Sequence, residues 1–490
     1  MGCIFSTEAV DDGGPLEIPV QAGEIYVWVP GFREPKQIDL TERLKGTVSA
    51  GLAARLQSLR SQIIAVINSG RNSSVMKIRP RRKSLDGNPG EPDLEKALND
   101  YLPTLLGLVT GGEKFSLAVE FPWTNVVDEN KETALGSGYY ELLSVLHLLG
   151  MMAIQEANLC LTPRPTADGF NPKASEGMCF ALHPVFAFGR YISASLSWNS
   201  VSDDNMRNAI EILLKAASYF ECAIKAALPN TPDDIKAKLP ADLTETMLRS
   251  LELQALGQAM ELQLGFAIGN VKASLAVKRR LACENVEVWD EAVQKLATVP
   301  LAEALRDKQV LFVKWKLAEA KAAAYYFHGL ILDEGYEDNT HAEALSCLKA
   351  AHAYLKESQK ARTEFGNMEP LTKIPPLWGP MKYLAQRIPR ETLSKGRIYR
   401  DNYSKEKMPG TTPKLPEFPI ALEADPFHLP PVDPAWKKER GFESKPSLTA
   451  DIPSFLARKN SAQTRPPVSD LRRAGAMAPP LIVSDMVQAR

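Results

Sequence analysis

The first six residues, Met1-Gly2-Cys3-Ile4-Phe5-Ser6, carry the sharpest chemical pattern in the chain. They match M-G-x-x-x-[ST], in which Met1 is removed and the freed amine of Gly2 takes a myristoyl chain. Cys3, directly beside it, is placed for reversible S-palmitoylation. The pairing matters physically, because a single myristoyl chain holds a protein at a bilayer only marginally and a second chain makes the attachment stable. An ordinary N-terminus with no modification is the plain alternative. A second modification candidate is Ser84, which follows Arg79-Pro-Arg-Arg-Lys83 and so reads as a basophilic-kinase site. The surrounding cluster of Arg71, Lys77, Arg79, Arg81, Arg82 and Lys83 could meet anionic lipid, and a phosphate on Ser84 would weaken that contact.

Catalytic constellations are harder to assemble. Gly107-Leu-Val-Thr-Gly-Gly112-Glu113-Lys114 superficially matches a phosphate-binding loop, but Glu113 separates the glycine from the lysine and no Ser or Thr follows. A helix-to-strand loop is the better reading. The six histidines are dispersed, and none forms H-E-x-x-H. His341 and Glu343 lack zinc spacing, and His328 lies in a tyrosine-rich helical stretch that favours a hydrogen-bonded packing role. Gly136-Ser-Gly138 lacks a third glycine and reads as the start of a helix, and no G-x-S-x-G elbow occurs. We therefore expect no enzyme, no metal and no cofactor.

Composition narrows the remaining classes. With 58 Lys and Arg against 59 Asp and Glu, the chain is near neutral, which excludes a generally basic nucleic-acid binder and an acidic solvated chain. The most apolar stretch, Leu142 to Met152, contains His147 and is too short to span a bilayer. The leader has no basic start and turns acidic at Glu8, Asp11 and Asp12, so a secretory signal is not expected. Six scattered cysteines with no C-x-x-C, three of them (Cys222, Cys283, Cys347) in helical patterns, imply reduced core thiols on the cytosolic side.

The elements that must position any site are mostly helices. Residues 1–20 read as a flexible lipidated leader. Glu24 to Pro30 and Phe115 to Phe121 are the two candidate strands, the second ended by Pro122. Between them Leu40, Leu44, Val48, Leu52, Leu56, Leu59, Ile63 and Ile67 recur at helical spacing, with Asp39 as N-cap, and Arg71 to Pro92 forms an exposed loop. From Tyr139 onward helix follows helix. Ile210, Leu214, Ala217, Phe220 or Glu221, Ile224 and Leu228 trace one face. Thr244 to Ile268 is rich in small residues (Ala255, Gly257, Ala259) that permit close helix contact. Leu301 to Leu332 and Ala342 to Leu355 form an antiparallel pair, with the small-plus-aromatic packing of tetratricopeptide hairpins but without their regular period. The expected fold class is mainly α, an elongated solenoid-like body with a small N-terminal sheet. After Arg400 the helical pattern fails. Residues 408–436 carry eight prolines, enough to forbid helix and favour an extended strap that buries Leu415, Phe418, Ile420, Phe427 and Trp436. The polar stretch 438–490 reads as a disordered basic tail.

Three stretches, Leu251-Glu-Leu-Gln-Ala-Leu-Gly-Gln-Ala-Met-Glu261, Ala318-Glu-Ala-Lys-Ala-Ala-Ala-Tyr-Tyr-Phe-His-Gly329 and Ile398-Tyr399-Arg400, resemble the Bro-one domain family of ESCRT accessory proteins. The resemblance covers residues 21–437, strap included. It implies a banana-shaped helical domain with a tetratricopeptide-like core, and binding of the C-terminal amphipathic helix of the core ESCRT-III filament subunit. Carried over by position, Asp203 and Arg207 match a polar pair one turn apart. Val277 and Leu281 match two aliphatic positions of a hydrophobic patch, with Leu264 a weaker match. The i, i+4 spacing of Val277 and Leu281 suits a helix-in-groove mode, although such a pair is also what an ordinary core helix presents. Lys278, Arg279 and Arg280 between them give that helix a solvated side and a basic rim for an acidic ligand helix. Some relatives end in a prenylated CaaX box, whereas this sequence ends Val487-Gln-Ala-Arg490, and others continue into further domains where a short tail is expected here. The expected function is a lipid-anchored, ESCRT-associated adaptor in cargo sorting, peripheral on the cytosolic face of endosomal or plasma membranes. A plasma-membrane signalling scaffold using the same groove is the alternative, and an enzyme comes third.

Overall fold

The computed structural model describes residues 26–72, 93–126, 132–162, 202–299, 303–335, 340–369, 371–372, 374–375 and 377–439. All of them lie in the compact unit Met1–Leu448; a second unit, Thr449–Arg490, falls outside the described residues. So do Gly2, Cys3, Ser84 and most of the 71–92 loop.

Twelve α-helices and a two-stranded sheet make up the described part. The helices α1 (Leu40–Arg43), α2 (Ala50–Asn72), α3 (Leu94–Thr110) and α4 (Glu113–Ser116) precede strands β1 (Phe121–Thr124) and β2 (Glu132–Leu135). Then come α5 (Gly138–Leu161), α6 (Asp203–Cys222) with a π-helical turn Ala223–Ala227, α7 (Asp233–Lys236), α8 (Glu245–Gly269), α9 (Leu275–Ala297), α10 (Glu303–Asp333), α11 (Thr340–Asn367) and α12 (Gly379–Asn402). From α8 to α12 each helix packs on the next, the sequential stacking expected of a solenoid-like body, while α6 bridges α5 and α8. The fold is mainly α, as the sequence implies.

Several expected elements differ in ways that have physical causes. Asp39 does cap a helix, accepting from the Thr41 and Glu42 amides, but the run beyond it breaks after Arg43. Gly46 takes a positive φ of 78°, and α2 restarts at Ala50. Residues 26–30 form no strand: the Tyr26 and Val27 amides donate to Asn158 Oδ1 of α5 at 2.8 and 2.9 Å, and Gln254 Nε2 of α8 donates to the Trp28 carbonyl at 2.7 Å. Side-chain amides take the place of a neighbouring strand, and the segment wedges between two helices. The second candidate strand is displaced, since Glu113 to Ser116 are helical and β1 begins at Phe121 with Pro122 inside it. A proline is tolerated because β1 pairs with β2 on one side and on the other meets only the short stretch Glu34 to Lys36, where the Lys36 amide donates to the Pro122 carbonyl and the Thr124 amide to the Glu34 carbonyl, both at 3.0 Å.

The apolar stripe of α6 also sits about one residue from its expected register. Ala209, Leu213, Ala216, Ala217 and Phe220 are buried, whereas Ile210, Leu214 and Ile224 are only half-buried. Small residues face inward here because α5 and α8 both press on this helix; Gly150 of α5 has no room for a Cβ, which would lie 2.5 Å from the Phe220 ring. By length and composition α5 could span a membrane, but 83% of its apolar window is buried inside the protein, so it is a core helix. It also carries Glu141, which accepts from Arg60 Nε (2.9 Å), Trp123 Nε1 (2.6 Å) and Tyr101 Oη (3.1 Å). This fully partnered buried carboxylate ties α2, α3 and β1 to α5. Removing either Arg60 or Glu141 would strand the other's charge, at a cost of about 3–5 kcal/mol.

After a turn in which the Glu406 amide donates to the Tyr403 carbonyl at 3.0 Å, the strap runs to Asp433 without helix or strand and ends in a 3₁₀ turn, Pro434–Lys438. Leu415 and Phe418 pack against the α9–α10–α11–α12 core, and Ile420 and Leu422 against the neighbouring tryptophan-rich cluster. Carboxylates of α9 hold its backbone: Glu287 accepts from the Phe418 amide at 3.3 Å and Glu284 from the Ala421 amide at 3.0 Å. Trp436 is fully buried against α3.

Candidate functional site

The sequence-matched positions fall at one end of the α6, α8 and α9 helices. Ser202 caps α6 by accepting from the Asn205 amide at 3.2 Å, and Asp203 and Asp204 occupy the first turn, where carboxylates suit the helix dipole. Asp203 and Arg207 are both exposed at the rim. The Arg207 guanidinium lies 4.8 Å from the ring centroid of Phe266, near the end of α8, so α6 and α8 run antiparallel and their ends meet. A five-residue connection, 270–274, then reverses the chain into α9. It is set by Asn270, which accepts from the Lys272 amide at 2.9 Å, and by Ser274, which caps α9 through the Val277 amide at 3.3 Å.

Val277 is 48% exposed, which core packing does not explain. Leu281, one turn on, is half-buried and packs against the cluster that contains Ala282, Cys283 and Tyr326. The pair therefore presents a graded apolar edge. Leu264 behaves differently: it is only 2% exposed inside that same cluster, so it supports the surface from beneath and cannot itself touch a partner. The basic rim is also thinner than the sequence implies. Arg279 lies 5.8 Å from the Phe418 ring of the strap, and Arg280 Nε donates to the buried Glu284 at 2.6 Å. Lys278 has no ion-pair partner among the described residues. Phe266 and the wholly exposed Val271 in the connection add apolar surface at this end that sequence reasoning missed. The signal available was two large apolar residues flanking a Gly-Asn helix stop.

The positions weighed for catalysis have structural duties. Gly107 is inside α3 and receives the Trp436 ring, leaving no phosphate loop. Gly136-Ser137-Gly138 is the start of α5. His147 is buried in α5, and burial pushes its pKa down to about 3, so it stays neutral. His328 packs in α10, but its Nδ1 has no hydrogen-bond partner, so the packing expectation holds without the bond. His341 stacks on Tyr403 at 3.8 Å. Cys222, Cys283 and Cys347 are free and buried, with thiols pushed up to about 12 by burial.

Comparison with known proteins shows what this arrangement is similar to. Residues 188–375 match the family model of the BRO1-like domain. Two solved structures share its fold. One is ALIX in complex with the SIVmac239 PYKEVTEDL late domain, with a TM-score of 0.55 at 15% identity over 81% of this chain. The match covers 48% of that chain, so this chain spans about half the length of that relative. The other is the ALIX BRO1–CHMP4C complex, with a TM-score of 0.51 at 15% identity over 86% of this chain and 99% of that one. No curated protein matches by sequence. The matched segment contains α6 to α11, and so the whole candidate surface.

Proposed function

We propose that the chain is a membrane-anchored adaptor whose α6–α8–α9 end receives the C-terminal amphipathic helix of an ESCRT-III core subunit in endosomal sorting and membrane remodelling. The observation that carries the reading is Val277, a large apolar side chain left 48% exposed above half-buried Leu281. It shares its end of the helices with the Arg207–Phe266 contact, on a domain whose fold neighbour is a BRO1 domain in complex with CHMP4C. An amphipathic helix would seat an apolar face on Val277 and Leu281 and its polar flank on Asp203, Arg207 and Lys278. The domain concentrates and recruits partners, and catalyses nothing in this reading. Gly2 and Cys3 supply the anchor to the cytosolic face of an endosomal or plasma membrane, and phosphate on Ser84 loosens the neighbouring basic loop from lipid.

The test is direct binding. A synthetic C-terminal helix of an ESCRT-III core subunit, titrated against the full chain, should saturate one site and be displaced by unlabelled helix. No saturable binding would overturn the adaptor reading and favour a scaffold for some other helix. Equal vesicle binding by Ser84→Ala and Ser84→Glu would remove the phosphorylation switch.

A further inference from the structure

We infer that the outer face of α12 is a second membrane contact, one that docks on an anionic lipid surface independently of any acyl chain. The α12 helix is amphipathic in an unusual sense. Its inward stripe is Met381, Leu384 and Ile388, all buried. The opposite side presents Lys382, Arg390, Leu393, Arg397 and Arg400, all exposed, while Tyr383 stands at its flank, hydrogen-bonded to Tyr326 of the core. Three of the seven large apolar side chains exposed among the described residues are on this helix: Leu393 at 61%, Ile398 at 40% and Tyr383 at 37%.

Charge decides what such a surface fits. Among the described residues none of Lys382, Arg390, Arg397 and Arg400 has an ion-pair partner, while Arg387 is committed to Glu391 at 3.6 Å and Lys395 to Asp333. The acidic residue exposed on the helix is Asp401. Leu393, Arg397 and Arg400 also line a depression of about 460 Å³ against His352 of α11, and Lys356 sits beside that histidine, adding positive charge. Uncommitted arginines alternating with exposed aliphatic and aromatic side chains are what an interfacial helix presents to anionic headgroups and the acyl boundary. The chain's own tail is a poor occupant, because residues 437–490 hold ten Lys and Arg against five Asp and Glu and would be repelled. This face is separate from the α6–α8–α9 end, so the inference goes beyond the adaptor reading and stands without it.

The experiment uses the full-length, unacylated chain and co-sedimentation with phosphatidylcholine vesicles, with and without phosphatidylserine. We expect binding to the anionic vesicles alone, falling with added salt. Each basic residue at such a surface contributes about fivefold, so Arg390→Glu, Arg397→Glu and Arg400→Glu together, which also add negative charge, should weaken binding at least about a hundredfold. These side chains are exposed, so far-UV circular dichroism and the melting temperature should be unchanged. The triple Arg→Lys variant should keep its binding, because lipid attraction reads charge, and Leu393→Ser should weaken it. Four results would overturn the inference: no binding to anionic vesicles, undiminished binding by the triple Glu variant, binding lost only when Arg79, Arg81 and Arg82 are reversed, or loss in the triple Lys variant. The last would point to an acidic protein segment that needs the guanidinium fork. ESCRT-III helix binding should be untouched by the α12 variants, which separates failure here from failure of the adaptor reading.

Discussion

Trp436 and Gly107 should behave as one unit, and their double-mutant cycle can be worked out from the structure. The indole is fully buried, donates Nε1 to the Thr104 carbonyl at 2.9 Å and meets Phe115 edge-on at 5.7 Å between centroids. Asp433 reinforces the clasp: its amide donates to the Pro103 carbonyl at 3.0 Å, and its carboxylate accepts from Thr104 Oγ1 at 3.2 Å and Arg55 at 2.8 Å. A Cβ on Gly107 would sit 2.1 Å from Trp436 Cδ1, well inside contact distance. Trp436→Ala should therefore cost about 3–5 kcal/mol, the range for a buried large aromatic. Gly107→Ala forces the ring out and should cost about 1–3 kcal/mol, offset slightly by the better helix propensity of alanine. In the double variant the added methyl enters space the indole has left. Its cost should fall below the sum of the singles by at least ~1 kcal/mol. Urea unfolding of the four proteins, with m-values compared to confirm the same transition, measures this. Costs that add to within about 0.5 kcal/mol would refute the notch-and-ring account of how the strap is fastened.

Further outcomes are expected elsewhere. Burial raises Glu252 from the usual 4.5 to about 7, with Arg249 opposing, so the folded state holds a proton that the unfolded chain releases. Stability from this group is full below the unfolded value and is lost as pH rises through 7; relative to wild type, Glu252→Gln should gain about 3 kcal/mol between pH 4 and pH 8, since each tenfold difference in proton affinity between the two states is worth ~1.4 kcal/mol. A stability difference flat with pH would contradict the burial of an ionisable carboxyl there. Gly2→Ala should move the protein from the membrane to the soluble fraction in cells and Cys3→Ser should leave weak, exchangeable binding, because one chain anchors only marginally; Gly2→Ala protein that still pellets would count against the anchor. Arg207→Glu should weaken helix binding more at low salt than at high salt, since a guanidinium at the rim is screened, and a salt-independent loss would place it in a buried contact instead.

The long helices and the strap were legible because their signals are strong and local. Small residues at Ala255, Gly257 and Ala259 announced close packing, and Gly257 does abut Trp289, whose Cε2 would lie 2.5 Å from an added Cβ. Prolines along 408–436 likewise excluded a helix without reference to tertiary structure. What failed was non-local. The 26–30 segment alternates like a strand, but Asn158 and Gln254, more than a hundred residues away, satisfy its backbone. The register of α6 slipped because a helix pressed from two sides buries alanines in preference to isoleucines. At the candidate surface, residue type could not separate Leu264 from Val277; only burial did so. The Arg280–Glu284 pair is a local i, i+4 contact, but the clamp of Glu284 and Glu287 on the strap depends on a chain segment about 130 residues further on.

The central claim is that the α9 edge receives an apolar helix, and Val277 is its cleanest reporter because Leu281 is partly core. The measurement is titration of an ESCRT-III C-terminal helix against wild-type and Val277→Asp protein, with thermal melts of both. The account predicts at least a thirtyfold loss of affinity, about 2 kcal/mol, with an unchanged melting temperature. Undiminished helix binding by a normally folded Val277→Asp protein would contradict it.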